Sequence, residues 1–407
     1  MLYIDITRLC LYNHSNLSQV TGVDKVNLAY IRYLGETSCA VIRYPKYWLF
    51  LPYNVSQVFF KSLLIGKLKR LSTIAWIKKF NALRYSKPMP DEQNFLLHTS
   101  HGGLEKPEFL TFMAKYQLKG IYFLHDLIPI DYPEYCRDGE KQKHQVRLQT
   151  MSQGELVICN SRYTLARWQD YCDKHSLTFP KSIFAHLAPD DIWQHKTAEI
   201  SEVVKLIVPT TPYFVVLGTI EGRKNHLLLL NIWRQLWRER NQDCPKLVII
   251  GKRGWECEQV LDILDRSDEL NSVVVEMNNC SDKDLNYFMH HCQALLFPSF
   301  EEGYGLPLIE AFRSGVRVIA SQIPAFEEIN IDNVATLISP IDSEQWKQTI
   351  LEQCYINNEQ KLSYQQKIAN IQPKLPTWQQ HFDIVKPHMK FFSAHDKKTK
   401  KSDKTKA

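Results

Sequence analysis

One stretch of this sequence leaves few folds open to the chain: Ala294-Leu295-Leu296-Phe297, then Pro298-Ser299-Phe300-Glu301-Glu302-Gly303-Tyr304-Gly305-Leu306-Pro307-Leu308-Ile309-Glu310-Ala311-Phe312. The apolar run is long enough for a strand buried on both faces, as in a parallel sheet. Gly303 and Gly305 allow a tight loop, and Pro307 fits the first turn of a helix, where its missing N–H costs nothing. Gly315 follows as a helix C-cap. A strand, a tight loop and a helix start, in that order, belong to an α/β fold.

The unpaired amides at such a helix start, with the positive end of the helix dipole, make a site for an anion such as a phosphate. A plain phosphate cradle has no need of carboxylates, yet Glu302 stands in the loop and Glu310 in the first helical turns. Carboxylates repel phosphate and accept hydrogen bonds from hydroxyl groups. A ligand that carries both phosphates and hydroxyls is a nucleotide sugar. Taken singly, Glu302 reads equally well as a solvated side chain, and Glu310 as a charge that favours its helix start.

Residues 297–310, with their continuation Ala311-Phe312-Arg313-Ser314-Gly315-Val316-Arg317-Val318-Ile319-Ala320-Ser321, closely resemble the E-x7-E signature of retaining glycosyltransferases of family 4 (group 1). The resemblance implies the GT-B fold: an α/β chain of two Rossmann-like, doubly wound domains facing across a cleft. It also implies that Glu302 contacts the transferred sugar and that Glu310 binds the ribose hydroxyls. Gly303, Tyr304 and Gly305 would offer backbone amides to the donor, with Leu306 beside them.

At 407 residues the chain is too long for one ordinary core and fits two domains of roughly 150 to 200 residues each. Its 44% hydrophobic and 23% charged content is that of a soluble globular protein. Ten cysteines without a C-x2-C pair suggest neither a zinc ribbon nor a disulfide framework, and they read as small core hydrophobes. The opening Met1-Leu2-Tyr3-Ile4-Asp5 looks like a strand rather than a leader, so the expected compartment is a reducing cytoplasm.

The net charge of +6 is unevenly spread. Residues 59–87 hold eight basic side chains (Lys61, Lys67, Lys69, Arg70, Lys78, Lys79, Arg84, Lys87) and no acidic one. Within 47–90, leucines and isoleucines interleave with these charges, and Trp76 and Tyr85 suit a lipid boundary. No run reaches the roughly 18 apolar residues that a spanning helix requires. The segment reads as a basic amphipathic insertion docked on the anionic cytoplasmic face of the inner membrane, or else as helices whose charged face is merely solvated.

Leu2-Tyr3-Ile4-Asp5-Ile6, a polar loop, and then Val26, Leu28, Ala29, Ile31 and Leu34 at helical spacing open a doubly wound domain. Gly22, at the helix entry, is either a point of close backbone approach to the donor phosphates, as the resemblance implies, or a simple helix-entry glycine. Residues 41–44, 95–97, 120–124 and 156–159 read as further strands, and Ser161 as a helix N-cap. His98-Thr99-Ser100-His101-Gly102-Gly103 has the composition of a ligand-facing turn. His125-Asp126 ends a strand where open α/β sheets bind ligands. It resembles the family's first-domain histidine motif, which implies that His125 contacts the donor sugar; a structural histidine capping the loop is the other reading.

Tyr213-Phe214-Val215-Val216-Leu217-Gly218-Thr219, then Ile220-Glu221-Gly222-Arg223-Lys224-Asn225-His226, again put a glycine and a basic pair between a strand and a helix. By the resemblance, Gly218 lies at the donor and Lys224 neutralises the departing diphosphate. Relatives often carry the arginine directly after the glycine, where this chain has Thr219, so Arg223 either shares that task or points to solvent. Gly251 repeats the strand-to-glycine pattern and reads as lying under the nucleotide. Residues 273–275, 316–320 and 335–338 read as later strands, and 281–294 as an N-capped helix.

The expected domains are an acceptor-side domain at 1–205 with the insertion at 47–90, a nucleotide-sugar domain at 206–375, a terminal helix at 376–393 returning to the first domain, and a disordered Lys-rich tail at 394–407. The expected activity is retaining transfer of a hexose-type sugar from a nucleotide-sugar donor to a glycan or lipid-linked acceptor, in bacterial surface polysaccharide or lipopolysaccharide assembly. With no D-x-D motif placed to hold a metal, side-chain cations replace Mg²⁺, and neither a metal nor another cofactor is expected. A catalytically silent scaffold that binds a glycan or a membrane is the alternative, against which the intact Glu302, Glu310, Lys224 and His125 argue. Nucleic acid is not an expected partner, because no binding module accompanies the basic segments.

Overall fold

The computed structural model describes residues 1–11, 21–65, 87–88, 93–190, 200–207 and 211–389. They fall into two compact units. In the first, the apolar runs form β1 (Leu2–Asp5), β2 (Cys39–Tyr44), β3 (Tyr47–Phe50), β4 (Asn94–His98), β5 (Leu118–Leu124), β6 (Leu156–Cys159) and β7 (Ser182–Phe184). Their spatial order is β3-β2-β1-β4-β5-β6-β7, parallel throughout except for the antiparallel β2–β3 pair. Strands β1, β4 and β6 are buried along their whole length, as parallel strands covered on both faces must be.

Helix Gly22–Leu34 starts on a capping box in which the Asp24 carboxylate accepts from the Thr21 N–H at 3.1 Å and the Thr21 hydroxyl accepts from the Asp24 N–H. It turns Val26, Ala29, Tyr30 and Leu34 inward. Against it lies helix Trp378–Val385, whose Phe382 stacks on Tyr33 at 4.5 Å and meets Tyr30 edge-on at 4.9 Å. The Tyr30 hydroxyl lies 2.9 Å from Nε2 of His381. Residues 377–389 therefore pack in the first unit.

The expected insertion at 47–90 needs correction over its first part. Residues 47–50 are the edge strand β3, and helix Tyr53–Leu64 buries Val55, Phe59, Phe60 and Leu63 in the first unit. Aromatic and aliphatic side chains at helical spacing were packed inward rather than against lipid. Residues 66–86, with most of the basic cluster, and the tail at 394–407 lie outside the described residues.

The second unit holds β8 (Tyr213–Leu217), β9 (Lys246–Ile250), β10 (Val274–Met277), β11 (Leu295–Phe297), β12 (Val318–Ser321) and β13 (Thr336–Ile338), all parallel, in the order β10-β9-β8-β11-β12-β13. Trp233, fully buried, meets Phe214 of β8 edge-on at 5.9 Å within a core of aliphatic side chains. Packing divides the chain at Leu187/Ala188 rather than at 205/206, and gives Ile128–Lys141 to the second unit as well. No change of composition marks these points. The contacts do: the Ser201 N–H donates to the Asp284 carboxylate at 2.9 Å, which ties helix Glu202–Ile207 to the second sheet's helices.

Both sheets run outward from a central pair, β1 beside β4 and β8 beside β11, where the strand order reverses. Ligands of such sheets lie beyond the carboxyl ends of the strands at that reversal. In the second unit those ends are Leu217 and Phe297, and the loops that leave them carry Lys224 and Glu302.

Candidate functional site

Glu302 is the centre of a compact ionic cluster. Its Oε1 accepts from the Lys224 ammonium, from the Ser299 hydroxyl at 2.9 Å and from the Arg223 guanidinium at 2.8 Å. Arg223 does not point to solvent: it also bridges Glu221 at 2.7 Å and donates to the Glu301 carbonyl at 3.0 Å, while its own carbonyl accepts from the Phe300 N–H at 2.8 Å. The loop after β8 and the loop after β11 are thus laced together through Arg223. Lys224 also lies 4.7 Å over the Phe297 ring.

Burial by itself would raise the Glu302 carboxyl, but Arg223 and Lys224 hold it down at about 2. Burial, with Arg223 as a like charge, draws the Lys224 ammonium below its ordinary value, and Glu302 offsets part of that. Lys224 and Arg223 converge on one carboxylate, and a diphosphate could share both cations with it.

Gly305 has φ +100° and caps helix Leu306–Arg313, and a Cβ there would lie 2.6 Å from the Phe326 ring. Glu310, in the middle of that helix, is 2% exposed, against 8% for Glu302. Gly303 and Tyr304 are buried between them, and Leu306 opens the helix. Gly218 has φ +132°, and the Lys224 ammonium would lie 3.8 Å from a Cβ there. Gly251 has a packing cause: a Cβ there would fall 1.8 Å from the Gly218 carbonyl oxygen. Thr219 packs its methyl towards Gly254, where a Cβ would come within 2.6 Å of it.

In the first unit, His125 is buried beyond β5, and its Nε2 lies 2.8 Å from the Thr99 carbonyl. A carbonyl only accepts, so Nε2 carries the proton and Nδ1 is the acceptor. Its backbone N–H donates to His101 Nε2 at 3.3 Å, and its carbonyl accepts from Asn160 at 2.7 Å. His144 donates from Nε2 to the Asp126 carbonyl at 3.2 Å, and the His101 ring lies 5.0 Å from His125 and 5.3 Å from His144. Burial lowers His125 and His144 to about 4 and His101 well below its usual range, so all three are neutral near pH 7. Gly22 is the exposed first residue of its helix with open space where a Cβ would be.

Residues 198–369 match the family model described as glycosyl transferases group 1, a span that contains Gly218, Arg223, Lys224, Gly251, Glu302 and Glu310. The chain carries a group 1 glycosyl transferase domain. The serotype-specific mannosyltransferase WbdA of Escherichia coli is 27% identical to it over 237 residues, which are 55% of this chain and 29% of that protein. The O-antigen chain mannosyltransferase B of Escherichia coli is 30% identical over 140 residues, 34% of this chain and 36% of that protein. The chain thus spans little more than a third, at most, of these two relatives. Anabaena HepE, solved in complex with UDP and glucose, superposes with a TM-score of 0.65 at 14% identity, over 98% of this chain and 100% of that one. The likeness shows the fold, two Rossmann-like units of the GT-B class.

Within the group 1 domain, sequence reasoning overlooked Glu221 and Ser299, which complete the cluster around Arg223 and Glu302. Their signal was available, since both are polar residues within three positions of a candidate. Outside it, Thr99 and His101, which meet the His125 loop, lie in the turn singled out at 98–103, whereas the contact of His144 with that loop had no such signal. Among the described residues no group of three or more His, Cys, Asp or Glu is placed to hold a metal ion, and no helix is long and apolar enough to cross a membrane.

Proposed function

We propose that the protein is a retaining glycosyltransferase that moves a hexose, mannose being favoured, from a nucleotide-sugar donor to a glycan or lipid-linked acceptor in surface polysaccharide assembly. The observation that carries this is the Arg223–Lys224–Glu302 cluster at the strand-order reversal of a group 1 domain. The choice of mannose rests on the mannosyltransferases named above.

Lys224 and Arg223 take the negative charge that grows on the diphosphate as the bond from C1 to its oxygen breaks, together with amides of residues 303–306. The Glu302 carboxylate accepts from a hydroxyl of the transferred sugar, and Glu310 from the ribose. His125 offers Nδ1 as an acceptor to a donor hydroxyl. The acceptor hydroxyl attacks C1 on the face the diphosphate leaves, and its proton passes to the departing phosphate oxygen. Because side chains supply the positive charge, turnover proceeds without a divalent metal, and EDTA leaves the rate unchanged.

Incubating the protein with GDP-mannose, UDP-glucose and UDP-N-acetylglucosamine tests the reading. One donor should be consumed, and Glu302→Ala should lower the rate by about 100-fold. Absence of both transfer and donor hydrolysis with every donor would leave only a silent scaffold. Lys61 and Lys87, at the two ends of the basic cluster, are exposed and suit docking on an anionic membrane. Replacing the cluster's lysines should abolish co-sedimentation with anionic vesicles.

A further inference from the structure

Between Leu127 and Gln142 the chain leaves the first unit, and Ile128–Lys141 packs in the second. Tyr135 stacks on Phe300, with ring centroids 5.5 Å apart and planes 4° from parallel. Its carbonyl accepts from the Trp255 indole at 3.3 Å, and the Arg137 guanidinium lies 4.4 Å over the Trp255 ring. Gly222 leaves room for this strap, since a Cβ there would lie 3.4 Å from the Tyr135 ring and 2.7 Å from the Glu256 carbonyl oxygen. Tyr132 stacks beside Tyr135 with ring centroids 6.1 Å apart, and burial together with the charge of the buried Glu301 raises its hydroxyl pKa.

The charges around Arg223 make this contact consequential. Phe300 stands two residues before Glu302, so what fixes its ring also fixes the turn on which the Glu302 carboxylate meets Arg223 and Lys224. We propose that Tyr135 is a positioning residue: its stack on Phe300 sets the turn that carries Glu301 and Glu302, and so keeps Arg223 and Lys224 where a diphosphate meets them. The proposal rests on the reading of Arg223 and Lys224 as the diphosphate's partners.

Binding of GDP and of UDP to the full chain, measured by titration calorimetry at pH 7.5, tests it without requiring turnover. Y135A should weaken binding of the preferred nucleotide about tenfold, and Y135F, which keeps the stack, should bind nearly as tightly as the wild type. Thermal melts of each variant confirm that it is folded. A wild-type protein that binds neither nucleotide overturns the functional reading and this inference with it. Wild-type binding matched by a folded Y135A, or a folded Y135F no tighter than Y135A, overturns the positioning role alone.

Discussion

At the scale of single residues, the Glu302 cluster is a place where one deletion takes the shared partner from two cations. Glu302→Ala removes the shared partner of Lys224 and Arg223, and of these Arg223 retains Glu221. The expected loss of stability is about 3 kcal/mol, read from urea unfolding, because a buried charge without its partner must be left desolvated. The carboxyl is lowered from 4.5 to about 2, so its stabilising effect is complete above pH 4.5 and fades as the pH falls towards 2. The histidines act earlier on acidification. His125, His144 and His381 are lowered from 6.5 to about 4 by burial and stay neutral in the fold, while the unfolded chain takes up their protons below pH 6.5. Stability should therefore fall between pH 6.5 and 4, by up to about 1.4 kcal/mol per pH unit for each of them. Unfolding titrations across that range should show a shallower fall in His144→Gln. The chemical type of these residues was legible in the sequence, and their protonation was not, since burial sets it.

At the scale of elements, three glycines separate into three cases that the sequence presents alike. Gly305→Ala forces φ +100° on an L-residue and drives a methyl to within 2.6 Å of the Phe326 ring, so the helix that carries Glu310 must move. A loss of about 1 to 3 kcal/mol, with weakened nucleotide binding in calorimetry, is expected. Gly251→Ala meets backbone at 1.8 Å and should disturb the loops after β8 and β9 even without ligand. Gly22→Ala meets nothing within 4 Å and should raise stability by about 0.5 to 1 kcal/mol, since a helix entry without positive φ gains from a stiffer unfolded chain. A glycine in a strand-to-helix loop signals that something comes close. Whether that is a ligand, a neighbouring backbone or open solvent depends on the packed sheet.

At the scale of the whole molecule, each unit has its own sheet and core, so unfolding need not be a single transition. Calorimetry with a nucleoside diphosphate at 100 times its dissociation constant should stabilise the second unit by about 2.7 kcal/mol and leave the first nearly unmoved. Phe382→Ala should act on the first unit instead, at a cost of about 3 to 5 kcal/mol, because it empties the contact that Tyr30 and Tyr33 make with the last helix.

Two mainly parallel sheets, the strand-loop-helix carrying Glu302 and Glu310, and the capped helix starts at Ser161 and Ser281 were all determined by the sequence by itself. Each depends on neighbours within a few positions: apolar runs, a glycine that opens φ, a hydroxyl beside a free N–H. Only the tertiary structure decided that residues 128–141 pack with Trp255 and Phe300, that Arg223 turns inward, and that Lys224 and Ser299 share one oxygen of a glutamate 78 positions from the lysine. Those contacts join segments far apart in the chain, and what brings them together is the order in which strands take their places in the sheet, a property that no local pattern encodes.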